Sequence, residues 1–223
     1  MGVFKRAFSL VLLSSLLSPV TAQTSQTGVG IGAAVDGINP QARILRRGES
    51  STAELMTGLS FLAPGDTPRQ KAEAFLLRFS ELTGGDALRF REVTGSAKQT
   101  VVHFDQWYQG ARVLDRSATV TLGADGLIRA FNSDFEAILR FEEAVITAGP
   151  AADLAIAHLR SKTRPGLSVV GEAVTKAGIV VFAGVGTAVY EVHTTRAPMV
   201  EHLIIRVDAH ASTVLSVRDA VIH

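Results

Sequence analysis

Ser117-Ala118-Thr119-Val120-Thr121-Leu122-Gly123-Ala124-Asp125-Gly126, running on through residues 127–135, is the stretch on which the fold turns. Ala118, Val120 and Leu122 alternate with Ser117, Thr119 and Thr121, the period of a strand with one apolar face. The loop at 123–126 predicts a hairpin that returns the chain into a second strand over 127–135. Upstream, residues 88–94 and 100–108 are rich in β-formers and predict two more strands. Before these, Ala72, Phe75, Leu76, Phe79 and Leu82 recur at helical spacing over 68–82. Asp66 or Thr67 can cap that helix, Pro68 suits its first turn, and Gly84-Gly85 stops it. A helix followed by antiparallel strands defines an α+β unit whose helix covers one sheet face.

The order then repeats. Gly149-Pro150 opens a second helix over 151–162, with Leu154, Ala155, Ala157, His158 and Leu159 available to its buried side, and Arg164-Pro165-Gly166 ends it. Strands are predicted at 167–175, 179–182, 189–195, 201–208 and 213–218. The expected fold is two small helix-plus-antiparallel-sheet units of cystatin-like form, with a boundary near 144–150. Each is small for a lone core, so neither need be stable by itself.

The beginning of the chain has a different character. Lys5 and Arg6 precede an apolar run over 7–20, and Val20-Thr21-Ala22 offers a signal-peptidase site with Gln23 as the new N-terminus. That run falls short of the roughly 20 residues that span a bilayer. Residues 23–59 are read as a flexible linker and lead-in; Gly28-Val29-Gly30-Ile31-Gly32 lacks the Lys-Ser/Thr pair of a phosphate loop. The expected organisation is therefore 1–22 signal peptide, 23–59 linker, 60–144 first unit and 145–223 second unit. Without Lys5 and Arg6, and with no acid before Gln23, the 22 basic residues become 20 against 21 acidic ones, a net charge of −1. Near-neutrality argues against nucleic acid or an anionic membrane as partner. The absence of cysteine excludes a disulfide framework and thiol catalysis.

His103-Phe104-Asp105-Gln106-Trp107-Tyr108-Gln109-Gly110-Ala111-Arg112-Val113, with Val120-Thr121-Leu122 and Ala124-Asp125-Gly126, resembles the propeptide signature of fungalysin/thermolysin-type metalloproteases. Tyr190-Glu191-Val192 and Val207-Asp208-Ala209 before Val214-Leu215, behind the second helix, are similar to a PepSY propeptide domain. The resemblance implies a propeptide that assists folding of a zinc protease domain and then inhibits it, in cis within a longer precursor or in trans. It also implies that Ala220, Val221, Ile222 and His223 lie where inhibitor meets enzyme. Two departures stand out. Asp115-Arg116 replaces a small pair, and His210-Ala211-Ser212 stands where glycine usually turns the last hairpin, although a β-carbon opposes positive φ.

No catalytic constellation is legible. His-Glu-x-x-His and Gly-x-Ser-x-Gly are absent, the six histidines are scattered, and neither a metal nor a cofactor is expected. His202 and His210 lie on or beside late strands. Asp134 and Glu136, two apart on one expected strand, share a face instead of confronting each other across a cleft. Trp107 and Tyr108 are expected to point to opposite faces, one in the core and the other a contact residue. The candidate partner-binding residues are thus Trp107, Tyr108, Ala220, Val221, Ile222 and His223. The expected partner is a thermolysin-like metalloprotease domain, with neither nucleic acid nor, after signal removal, a membrane. Two other readings stay open: a general envelope binding module, and a metallopeptidase precursor whose catalytic domain is missing from this chain.

Overall fold

The structure is a computed structural model that describes residues 42–46, 52–162, 168–197 and 201–220. Its first helix, α1 (Pro68–Arg78), begins as its sequence requires. The Thr67 hydroxyl accepts from the Gln70 N–H at 3.2 Å, while Gln70 Oε1 accepts from the N–H groups of Thr67 and Asp66 at 3.0 and 2.9 Å. This capping box satisfies donors that a helix start leaves open. The helix does not run unbroken to residue 82. Phe79 leaves the helical region and a short α2 (Ser80–Thr83) follows. The buried Thr83 hydroxyl takes up the slack at this break, bonding the Leu76 and Phe79 carbonyls at 3.2 and 3.0 Å. Gly84 then closes the element at φ 66°, where a β-carbon would stand 2.7 Å from the Phe135 ring.

Strands β1 (Arg43–Arg46) and β2 (Ala53–Thr57) precede the helix; β3 (Leu88–Ser96), β4 (Gln99–Tyr108), β5 (Ala111–Gly123) and β6 (Ile128–Ser133) follow it. They pair antiparallel in the order β3-β4-β5-β6-β2-β1. The expected alternation on β5 holds: Ala118, Val120 and Leu122 are buried, and the residues between them are half-exposed. Against this face α1 sets Phe75, which meets Phe61, Phe79 and Phe131 at ring-centroid distances of 5.8, 5.1 and 6.2 Å. The flexible linker expected over 23–59 needs correction where it is described. Residues 43–46 and 53–57 are strands, because the open edge of β6 offers a ladder and the core takes Ile44, Ala53 and Met56. A second correction concerns the end of β6 at Ser133. Asp134 and Glu136 lie beyond it and do not share a strand face.

A short β7 (Arg140–Glu142) leads to α3 (Ala148–Lys162), then to β8 (Ser168–Phe182), β9 (Val185–Ala197), β10 (Glu201–Asp208) and β11 (Thr213–Asp219). The helix starts three residues earlier than expected, with Pro150 inside its first turn, where its missing N–H costs nothing. Ala151, Ala155 and Leu159 form its buried stripe against Val192, Leu203, Ile205 and Val207. Ala157, expected on that side, is exposed. The strands expected at 167–175 and 179–182 are one strand with an irregularity between Val170 and Val174. The last hairpin turns without glycine. Ser212 takes φ 56°, and Asp208 Oδ1 accepts from the His210 and Ala211 N–H groups at 2.8 and 2.7 Å, so a side chain holds the turn.

The two sheets are continuous. Val113 of β5 bridges Ile179 of β8 in parallel, and β7, on the first-unit side of the expected boundary, pairs with β9 at 185–187. Between them Val113, Ile179 and Val181 form a third core, flanked by Tyr108, Ala111, Ile138 and Phe141.

Candidate partner-binding surface

The joint between the units begins with an interruption of β5. Residues 117–123 pair with 99–105, and Ala111 and Arg112 pair with Tyr108 and Trp107, so Val113, Leu114, Asp115 and Arg116 together face Gln106 alone. Such an excess bends a strand out of its ladder. Asp115 adopts φ 58°, a region that aspartate tolerates better than most residues. Gln106, fully buried, closes the gap: its Oε1 accepts from the Glu136 N–H at 3.1 Å and its Nε2 donates to the Glu136 carbonyl at 2.8 Å.

The bend delivers Asp115 and Arg116 to opposite tasks. Asp115 takes a two-pronged bond from Arg206, whose Nη2 lies 3.0 Å from Oδ1 and whose Nη1 bonds Oδ2. Arg206 Nε and Arg218 Nη2 both reach Glu191 Oε1, at 3.0 and 3.1 Å. Arg116 pairs with Glu136 and donates to the Val181 carbonyl at 3.3 Å, while Glu136 Oε1 accepts from the Gly184 N–H at 3.0 Å. The bond from Arg206, against the opposing effect of burial, holds the Asp115 carboxyl below its ordinary 3.8. The same bond raises Arg206. His193 beside this network is pushed below 6.5 by burial first and by Lys176 second. Asp115 and Arg116 therefore fasten the bent part of β5 to β10 and, through Glu136, to the β8–β9 turn.

Trp107 and Tyr108 sit at the β4 end of a two-residue turn formed by Gln109 (φ 46°) and Gly110 (φ 80°). Both are half-buried, so the division into one core and one exposed ring does not hold. Tyr108 packs on Phe141 at 5.4 Å within the joint and is held structurally. At the β8–β9 turn stand two exposed apolar side chains that sequence reasoning missed, Phe182 (81% exposed) and Leu139 (85%). Leu139 N–H donates to Gly184 O at 2.8 Å, which ties the segment bearing it to the β8–β9 turn. Each closes a short apolar run, 138–139 and 179–182, in which the sequence does not single out the exposed member.

Ala220 is half-buried and extends the β11 ladder, donating to the His202 carbonyl at 2.6 Å. Ala22, Gln23, Val221, Ile222 and His223, like Gly28–Gly32, lie outside the described residues. Ala220 is not brought near Tyr108. Tyr108 flanks Ile179, which lies opposite Ala188 of β9, and the next residue, Val189, faces Asp208; Ala220 sits at His202, six residues and about 20 Å along β10. A cleft of about 380 Å³ opens near Ala220, lined by His158, Leu159, Lys162, Leu203, Val217, Arg218 and Asp219. His202 is exposed and 3.3 Å from Thr195 Oγ1, and His210 Nδ1 is 3.0 Å from the Glu143 carbonyl. Among the described residues no three His, Asp or Glu side chains are grouped to hold a metal ion, and no helix is long and apolar enough to cross a membrane.

Fold and surface together define an α+β scaffold, mostly strands with few helices, that offers sheet edges and exposed apolar side chains. Residues 87–135, from the turn before β3 to the start of the loop after β6, match the Fungalysin/Thermolysin Propeptide Motif. The family matched is a propeptide motif and not a catalytic domain, and the matching stretch contains Gln106, Trp107, Tyr108, Asp115 and Arg116. No curated protein matches the chain. Among solved structures the chain is similar to the Bacillus megaterium YpeB C-terminal domain, at 13% identity over 80% of this chain and 75% of that one, with a TM-score of 0.36.

Proposed function

We propose that this chain is an exported propeptide-type protein that binds a thermolysin-like zinc metalloprotease domain, assisting its folding and inhibiting it, in cis or in trans. The observation that carries this reading is the match of residues 87–135 to a metalloprotease propeptide motif. In this reading the cut falls between Ala22 and Gln23, the first unit is the motif's own domain, and the second is PepSY-like, each cystatin-like in form. Its physics is binding: a protein that binds the native protease and not its unfolded chain stabilises the folded form by mass action. The contacts fall to Trp107 on one side and to Ala220, Val221, Ile222 and His223 on the other, with the apolar tail entering the protease cleft.

The tail supplies the test. Removing residues 220–223 is expected to weaken inhibition ten- to a hundredfold, about 1.4–2.8 kcal/mol, the scale of one well-buried apolar side chain. The fold should survive, because a terminal segment adds little to either core. Inhibition constants for the two chains against a thermolysin-like protease decide the point, with circular dichroism as the folding control. Equal inhibition would remove the tail from the mechanism.

A further inference from the structure

β11 ends the strand order, and among the described residues nothing pairs with its far side. The phase of its ladder is fixed by the Ala220 N–H, which bonds the His202 carbonyl. Antiparallel pairs alternate between bonded and non-bonded, so Arg218 opposite Ile204 and Ser216 opposite Arg206 direct their backbone groups to β10. Val217 and Asp219 between them direct theirs outward. Val217 lies opposite Ile205 and Asp219 opposite Leu203, both buried under α3, so the side chains of Val217 and Asp219 stand on the α3 face. That is the face on which the cleft opens.

We propose that this edge and cleft form a docking site for an extended acidic polypeptide segment, which joins the sheet as a further strand. Backbone groups at Val217 and Asp219 would hold it, and its alternate side chains would stand beside the cleft. Leu159, Leu203 and the partly exposed Val217 give the apolar floor. Charge selects the acid. Lys162, the exposed cation on the helix wall of the cleft, makes no ion pair among the described residues. Arg218 already engages Glu191 on the other face, and Asp219 is the single acid lining the cleft. Sheet edges are commonly blunted by charge or proline, yet Leu215 and Val217 stand exposed on this one.

The probe is a capped, fluorescein-labelled seven-residue peptide alternating valine and glutamate, titrated onto the chain by fluorescence anisotropy. Saturable binding is expected, at least tenfold weaker when alternate peptide nitrogens are methylated. Val217→Pro should weaken it tenfold or more while leaving circular dichroism unchanged, because the lost N–H does not serve β10. Lys162→Glu, an exposed change that leaves the edge intact, should weaken the glutamate peptide and favour its lysine counterpart. Absence of saturable binding, equal affinity for the methylated peptide, or indifference to Lys162→Glu would each overturn the proposal. So would a self-association that Val217→Pro abolishes while no peptide binds, since the edge would then belong to a second copy of the chain.

Discussion

Phe75→Ala is expected to lower the free energy of unfolding by about 3–5 kcal/mol, the cost of losing a buried aromatic ring and leaving a cavity. Phe75 has no exposed surface and touches three other phenylalanines, from the segment before α1, the end of α1 and β6. No single neighbour can collapse into the space without leaving another contact. Domains are commonly stable by only about 5–15 kcal/mol, so this change removes a large share of the margin. Leu77→Ala, two residues along the same helix but on its exposed side, is the comparison and should stay within about 0.5 kcal/mol. Urea unfolding measures both. Similar losses at the two positions would mean that α1 does not present the face described.

Arg206→Ala is expected to cost about 2–4 kcal/mol, because it strips one partner from a poorly hydrated carboxylate. The Arg206 and Glu191 side chains are only 12% and 14% exposed, and Arg218 alone would remain with Glu191. Asp115 is 57% exposed, so its share is smaller and should shrink in salt. A double-mutant cycle between Asp115 and Arg206 isolates it. The pH dependence has a definite sign. The folded carboxyl lies below its ordinary 3.8, so its contribution is present above 3.8 and is lost as pH falls through the folded value. The stability difference between the native chain and Asp115→Asn should hold steady from pH 5 upward and narrow below about 3.8. A difference that persists undiminished at the lowest pH would show that the bond contributes through shape alone.

Much of the first unit is legible because its signals are local. Thr67, Pro68 and Gly84 bracket the helix within 18 residues of chain, and the alternation from Ser117 to Leu122 needs no distant partner. What stays hidden depends on partners far along the chain. β1 and β2 are only four and five residues long, and they are strands because β6 has an edge to offer. The break at Phe79 answers to the Thr83 hydroxyl and to a core that pulls the ring inward. The site divides in the same way. The motif around Trp107 and Tyr108 can be read directly, but the contact of Tyr108 with Phe141 cannot. Asp115-Arg116 stands out as a departure from a familiar pattern, yet its purpose appears only with Arg206, 91 residues away in sequence. Leu139 and Phe182 gave no signal, since each closes a short apolar run, 138–139 and 179–182, whose composition does not say which member is left exposed.

The central claim is that the chain engages a thermolysin-like protease domain, and an inhibition constant tests it most directly. Increasing amounts of residues 23–223 are added to a fixed amount of a thermolysin-like zinc endopeptidase, and hydrolysis of a small peptide substrate is followed. The account predicts saturable inhibition that approaches completion at one chain per enzyme and fades as the protease cuts the chain. Unchanged hydrolysis at a large excess of intact, folded chain, with each of several such enzymes, would contradict it.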